Sequence, residues 1–529
     1  HSSHRRQRQM CIRDRYNTGV PWFNYSKSDN DQFSLQFNAA LDLKNNKSKF
    51  SSKHNIEFGF EFQQRINRFY GISPLGLWSI MRQLANRHIL TLDTQNPILI
   101  IDGEEYTYDE YLASGPDVVF GPTDTIFYDR NLVAGDQSYF DQQLRAKLGA
   151  GPLDIINVDA LNPDVFSLDM FSADELLNSG NALVFYNGFD YLGNKLTSEP
   201  SFNDFFTQKD ANGNFTRNIG AFRPIYNAAY IQDRFNFKDI VFRVGVRVDR
   251  YDANRKVLND MFSLYDLRSA GEVDAAVYEN TYGPDITSQP GSIGDDFAVY
   301  VDDFSNATPT ILGYRDGNTW FNAEGEEIVD PEIIASASST GTIQPYLVNP
   351  EDDIKDESFD PNSTFVDYEP QITVMPRIAF SFPISKEEGR EALFFAHYDI
   401  LTQRPQSRSE ATPYDYYFLQ ELSTDGVLDN PNLKPEKTID YQIGFQQALS
   451  DNSVLKISAF YKELRDMVQV INVPFAYPVR YNTFGNVDFG TVKGFTVSFD
   501  IARRIKNIKM STSYTMQFAE GTGLSLIHI

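Results

Sequence analysis

Cysteine is almost missing from this chain of 529 residues: Cys11 is its only one. That excludes a disulfide framework and a thiolate metal site. Histidine is scarce as well, six in all, and His1, His4 and His528 lie at the extreme ends. No apolar run reaches the roughly 18 residues a membrane-crossing helix needs. Positive charge is in short supply, with 47 Lys and Arg against 72 Asp and Glu, a net of −25. A nucleic-acid partner is excluded on that balance, because phosphates need basic side chains to neutralise them. The sequence shows no GxSxG, HExxH, Walker loop or dinucleotide fingerprint. His54, His88 and His397 stand far apart in the chain. The reading therefore assigns no catalytic residue, no cofactor and no metal, and expects the protein not to be an enzyme.

Both ends read as foreign to the fold. Residues 1–15 (HSSHRRQRQMCIRDR) and 524–529 (LSLIHI) look like translated sequencing-adapter sequence, and such segments are excluded from fold reasoning. The first fifteen hold five Arg and one Asp, so the rest of the chain carries −29. Residues 16–523 are expected to form one piece of a larger domain. No Gly/Ser- or Pro-rich linker divides them.

What the chain has in quantity is aromatic residues, 14%, with 42 Phe and 29 Tyr. These suit strands and the interfacial girdles of membrane barrels. Period-2 segments come in pairs: Phe33–Leu43 with Ile56–Arg68, Tyr226–Phe237 with Ile240–Tyr251, Val374–Ile384 with Glu391–Ile400, Thr438–Ala448 with Val454–Lys462, and Phe495–Ala502 with Ile508–Phe518. In the first, Phe33, Leu35, Phe37, Ala39 and Leu41 alternate with Ser34, Gln36, Asn38, Ala40 and Asp42. Side chains alternate faces along a strand, so one face is greasy and the other wet. Tight polar turns close the pairs at Lys238-Asp239, Asp451-Asn452-Ser453 and Ile505-Lys506-Asn507. Between pairs lie long gaps, roughly Phe69–Phe222, Asp252–Ile372, Leu401–Lys437 and Leu464–Lys493. Short turns on one side and long loops on the other predict an all-β, transmembrane antiparallel barrel. A soluble sandwich also alternates, but structureless loops of that length are uncommon in compact domains.

The long gaps carry signals of their own. Leu77–Ile89, behind Ser73-Pro74, has apolar residues near helical spacing, and Ser172-Ala173-Asp174-Glu175 is a capping-box pattern. Asp210-Ala211-Asn212-Gly213-Asn214 has oxygen-bearing residues spaced somewhat like a calcium loop. Its glycine is misplaced and no closing Glu follows, so a turn is expected. Asp302-Asp303, Glu324–Glu327 and Glu351–Asp353 make the loops acidic.

Several motifs bring a family into view. Tyr230-Ile231-Gln232-Asp233-Arg234-Phe235 followed by Val244-Gly245-Val246-Arg247-Val248-Asp249 resembles a strand pair of TonB-dependent outer-membrane receptors. Asn430-Pro431-Asn432-Leu433-Lys434-Pro435-Glu436-Lys437-Thr438 with Tyr441–Phe445 resembles another of their segments, and is the most specific match. Phe395–Tyr398 with Gln403-Arg404-Pro405, and Asp488–Phe495, fit as well. The resemblance, Bacteroidetes-type in style, implies a sector of a 22-stranded barrel in the outer membrane, with long extracellular loops that contain short helices. The plug and closing strands are expected outside this piece. It implies uptake of a scarce ligand (iron chelate, oligosaccharide, cobalamin or peptide), energised by a TonB-type partner acting through the plug region. The alternative is a non-transporting surface barrel for adhesion or recognition. Lumen-facing Arg243, Arg247 and Asp249 could line a plug contact or form ordinary cross-strand ion pairs. Gly245, Gly444 and Gly494, on the polar side of their strands, permit close approach.

Overall fold

The structure, a computed structural model, describes residues 24–45, 52–90, 92–115, 118–130, 137–336, 338, 341–385, 391–404, 410–421, 426–505 and 508–522. The terminal segments read as adapter sequence, Cys11 included, lie outside them, as do Lys506 and Asn507 of one expected turn.

All ten expected strands are present: β1 (Tyr25–Asn45), β2 (Ser52–Ile72), β3 (Ile225–Phe237), β4 (Ile240–Asp252), β5 (Gln371–Ser385), β6 (Ala392–Gln403), β7 (Glu436–Ser450), β8 (Ser453–Val473), β9 (Tyr481–Ile505) and β10 (Ile508–Gly521). They pair in sequence order in one sheet, each antiparallel to the next from β2 to β10. Lys238–Asp239 and Asp451–Asn452 close two hairpins, as expected. No helix among the described residues is long and apolar enough to cross a membrane.

Register explains why alternation is so regular. One cross-strand row runs Phe235, Phe242, Phe380, Ala396, Ile443, Ala459, Phe495, Met516 through eight strands. A slip of one residue anywhere in that row would send its side chains to the other face. Aromatic neighbours reinforce it: Phe235 stacks on Phe242 at 5.2 Å, and Tyr398 lies 5.1 Å from Tyr441. Such cross-strand pairs contribute roughly 0.2–1 kcal/mol each. On the opposite face a row runs Glu57, Gln232, Gly245, Arg377, Asp399, Asp440, Lys462. The sheet thus has an apolar face whose side chains stay exposed, including Phe33, Phe37, Phe58, Val246, Ile443 and Tyr514, and a polar face laced with charge.

Two expectations need correction. Residues 464–493 are not an outside loop. β8 and β9 remain paired from Ser453↔Ile501 to Val473↔Tyr481, through bulges near Leu464 and Met467, leaving only 474–480 as a connection. The β-branched and aromatic content of 467–473 and 481–484 sustains the ladder well past the 9–11 or so residues a spanning strand needs. The helix expected over Leu77–Ile89 is two, Pro74–Leu84 and Arg87–Leu90. Asn86 breaks it with a φ of 62°, because its side chain is bonded to both Ile156 N and Ile156 O at 2.8 Å. His54 lies inside β2.

The described residues fall into two compact units, one within 1–29 and 68–221, the other within 30–67 and 222–529. In the first, the end of β2 pairs with Val184–Asn187, and Phe140, Leu144 and Leu176 are fully buried. The Ser172 capping box forms as expected at the helix Ala173–Leu177, with Glu175 returning to Ser172 N at 2.9 Å. Asp210 accepts from Asn212 N and Asn214 N at 2.8 and 2.9 Å with Gly213 at a φ of 85°, a turn and not a cation loop. Asp190–Asn194 repeats that turn (Asn194 N to Asp190 Oδ1, 2.7 Å). In the second unit, residues 253–370 build a five-stranded sheet of short strands and a helix, Ala275–Tyr282. Its core gathers Val277, Tyr278, Val299, Val301, Ile311 and Tyr314, all 0–1% exposed.

Candidate functional site

The most specific sequence motif turns out to be a clasp. Asn430 Nδ2 donates to Phe484 O at 2.8 Å, and Asn432 N donates to Asn430 Oδ1 at 2.9 Å, so the side chain serves both its own turn and β9. Asn486 on β9 accepts from Lys434 N at 2.7 Å and donates to Lys434 O and Asp466 O at 2.9 and 2.7 Å. Leu433 is buried, Val427–Leu428 runs parallel to Asn482–Thr483, and Thr483 Oγ1 donates to Leu428 O at 2.8 Å. The two prolines disfavour helical backbone at the residues before them, Asn430 and Lys434, and a turn at 430–433 delivers the segment to this ladder end. The loop before β7 is thereby fastened to the projecting part of the β8–β9 hairpin.

That hairpin also anchors the 253–370 loop. Tyr477 N donates to Phe262 O at 3.0 Å, Leu264 N to Tyr477 O at 3.1 Å, and Tyr481 Oη to Met261 O at 2.6 Å. Trp320 packs against Tyr300, Phe262 and Phe475 with ring centroids 4.7–5.7 Å apart.

Between these parts lies a cavity of about 440 Å³, within the range of small-molecule sites. Its buried wall includes Arg315, whose Nη2 is paired with Asp260, while Nε donates to Tyr300 Oη at 3.0 Å and Nη1 to Gly317 O at 2.7 Å. The guanidinium also sits 4.3 Å from the centre of the Phe262 ring. It is committed to the wall and not offered to a solute. On the rim, Asn259, Asp296, Asp316 and Asn318 are exposed, and among the described residues Asp296 and Asp316 make no ion pair. The surrounding segment 253–370 holds 24 Asp and Glu against 5 Lys and Arg, a net of −19. Nearby, burial pushes the carboxyls of Glu410 and Asp415 above their ordinary range. A cavity of this kind concentrates cations and admits neutral hydrogen-bonding solutes, and its field repels anions.

Sequence reading flagged Asn430, Pro431 and Asn432, which line this cavity, but read them as turn formers. It missed the rest, because the walls are assembled from short stretches scattered between residues 257 and 483. The three histidines do not converge: His54 meets Asp233 at 2.7 Å, His88 meets Asp141 at 3.5 Å, and His397 meets Asp440 at 3.8 Å. No cluster of three metal-ligating side chains occurs among the described residues.

On the polar face of the sheet, two of the charges read from the sequence, Arg247 and Asp249, have partners. Arg247 Nε meets Asp249 at 2.7 Å, its Nη2 meets Glu61 at 3.3 Å, and Tyr226 Oη donates to Asp249 at 2.6 Å. Arg247 therefore pairs with Asp249 on its own strand and with Glu61 on β2, two strands away. Gly444 admits the Phe395 ring, whose Cζ would lie 2.2 Å from an added Cβ, so the close approach expected of these glycines is seen.

Residues 402–525, which include the clasp and β7–β10, match the family model for the TonB dependent receptor-like, beta-barrel domain. That segment is a TonB-dependent receptor-like barrel segment, and the strand motifs ahead of it resemble the same receptors. The apolar face is therefore the lipid face, the polar face lines the lumen, and the protein resides in the outer membrane. No curated protein matches the chain. Among solved structures it is similar to the alcaligin outer-membrane receptor FauA of Bordetella pertussis, at 9% identity over 95% of this chain and 41% of that one, with a TM-score of 0.33. It is also similar to the ferric-catecholate import receptor Fiu of E. coli K12 (11%, 93% and 38%, TM-score 0.34). The RagAB peptide importer is a third (9%, 95% and 31%, TM-score 0.36). The chain spans less than half the length of each. The family assignment rests on the model match and the strand motifs, not on these loose superpositions.

Proposed function

We propose that the full-length receptor imports a scarce solute across the outer membrane, energised by a TonB-type inner-membrane partner. The observation that supports this reading is the match of residues 402–525 to the receptor barrel family. The acidic loop cavity refines it. Of the ligand classes expected from the sequence, oligosaccharides and basic peptides suit its field better than anionic iron chelates do. The test is uptake of labelled solutes by cells lacking this gene and, separately, lacking TonB. Loss of uptake of one solute in both strains supports import. Normal uptake of every candidate in both defeats it. Adhesion or recognition remains the second reading, favoured by a 253–370 loop that carries its own buried core. It requires surface binding that survives loss of TonB.

A further inference from the structure

Two rows on the lumen face set like charges directly opposite each other, and only one of them is answered by partners. Asp399 and Asp440 stand directly opposite across β6 and β7, a like-charge pair that costs stability unless answered. It is answered: Arg377 Nε lies 2.7 Å from Asp399, and Lys462 Nζ lies 3.5 Å from Asp440. One row away, Arg234 on β3 stands directly opposite Arg243 on β4. Their outer cross-strand neighbours are Asn55 and Ala379, neither of which carries charge.

The nearby carboxylates are engaged elsewhere. Glu57 accepts from Gln232 at 3.4 Å, Asp233 points to the other face and holds His54 at 2.7 Å, and Asp399 holds Arg377. Among the described residues neither Arg234 nor Arg243 has an ion-pair partner, and both side chains are exposed. They border a cavity of about 460 Å³, beside Gly245, where an added Cβ would meet Ile231 O at 2.9 Å and Gln232 Cβ at 3.0 Å. The missing side chain at 245 keeps that wall flat next to two guanidinium forks. In a chain with 25 more acids than bases, a patch with surplus arginine is unusual.

We propose that Arg234 and Arg243 together hold one oxyanion, a carboxylate or phosphate, on the lumen wall. Guanidinium forks match the geometry of such oxygens and bind them in charge-assisted pairs. A shared anion turns the cross-strand repulsion into a bridge between β3 and β4. Two sources have this chemistry: a carboxylate from another part of the full-length polypeptide, or a free anion in the lumen. The proposal does not depend on transport.

The experiment uses the full-length receptor in detergent, as wild type and with Arg234→Gln, Arg243→Gln and both. Its readout is the midpoint of the heat-induced mobility shift, with citrate or with choline chloride at equal ionic strength. If the anion is free, citrate raises the wild-type midpoint above chloride and each single variant abolishes the rise. If the anion is the protein's own carboxylate, citrate does nothing to wild type. Each single variant then lowers the midpoint, and the double variant loses little more than either single one, the non-additivity expected of residues sharing a partner. Should a Gln variant fail to assemble, Arg243→Lys keeps the charge but loses the fork. Citrate should then bind it about tenfold more weakly, or, with an internal carboxylate, the midpoint should fall part-way. The proposal is overturned if citrate has no effect and the variants are as stable as wild type or more so, since removing an unanswered like-charge pair would then be harmless or beneficial.

Discussion

The barrel wall and the 253–370 loop hide apolar surface in opposite directions. The wall turns it outward: Phe33 is 63% exposed and Tyr514 61%. The loop turns it inward, and Val299, Tyr300 and Tyr314 are wholly buried under a surface carrying 24 acids. Both are antiparallel sheets rich in aromatic and β-branched residues, so secondary structure does not distinguish them. Solvent does. Lipid accepts an apolar face as it stands, while water requires the loop to fold that face onto itself.

The comparison can be broken from either side. The largest effect is expected at Trp320, packed among Phe262, Tyr300 and Phe475. Trp320→Ala should cost about 3–5 kcal/mol locally, as large-to-small core substitutions do. Hydrogen exchange should show residues 253–370 opening while β3–β7 stay protected. If the wall opens equally, the two are one cooperative body. Next, Val246→Lys places a charge on the lipid face and should cost about 2–4 kcal/mol near the bilayer centre. It should lower the yield of assembled barrel. The same change at exposed Val329 in the loop should be nearly neutral. An equal effect at both sites would mean the apolar face is not in lipid.

A smaller effect is expected where loop and wall join. Asn486→Ala removes the bonds to Lys434 and Asp466, at about 0.5–1.5 kcal/mol for each solvent-accessible bond lost. Exchange should rise at 428–434 before anywhere else in the sheet. The smallest effect concerns pH. Burial raises the Glu410 and Asp415 carboxyls in the folded state, so the folded form binds protons more readily than the unfolded one. Stability of this loop region should therefore fall as pH rises from the ordinary carboxylate range through those raised values, and recover on acidification. Glu410→Gln should flatten the profile. An unchanged profile would assign the pH response to other carboxylates.

The wall was legible in the sequence because its signal is local. Alternation in Phe33–Leu43 or Ile240–Tyr251 states which side chain faces which solvent, and two-residue turns such as Lys238–Asp239 fix the pairing. Even so, the strands were read as ending where clean alternation ends. β8 and β9 run on through bulges at Leu464 and Met467, where the period is broken but the ladder is not. The NPNLKPEKT segment announced its family, yet its task is set by Asn486, fifty residues later, which no local pattern links to it. The mouth cavity was not legible, since Asn259, Asp316, Asn430 and Thr483 meet only where two loops pack against one hairpin.

The lumen charges divide along the same line. That Arg234, Arg243, Arg247 and Asp249 share the wet face followed from periodicity alone. Which of them are neutralised followed only from register. Ion pairing depends on what stands opposite and diagonal across strands, at separations of 4.5–5.5 Å or so. By itself the sequence determined the fold class, the membrane and the two faces of each strand, because those depend on a residue and its near neighbours. The tertiary structure decided the clasp, the cavity and the unanswered arginines, because each depends on residues that only strand pairing and loop packing bring together.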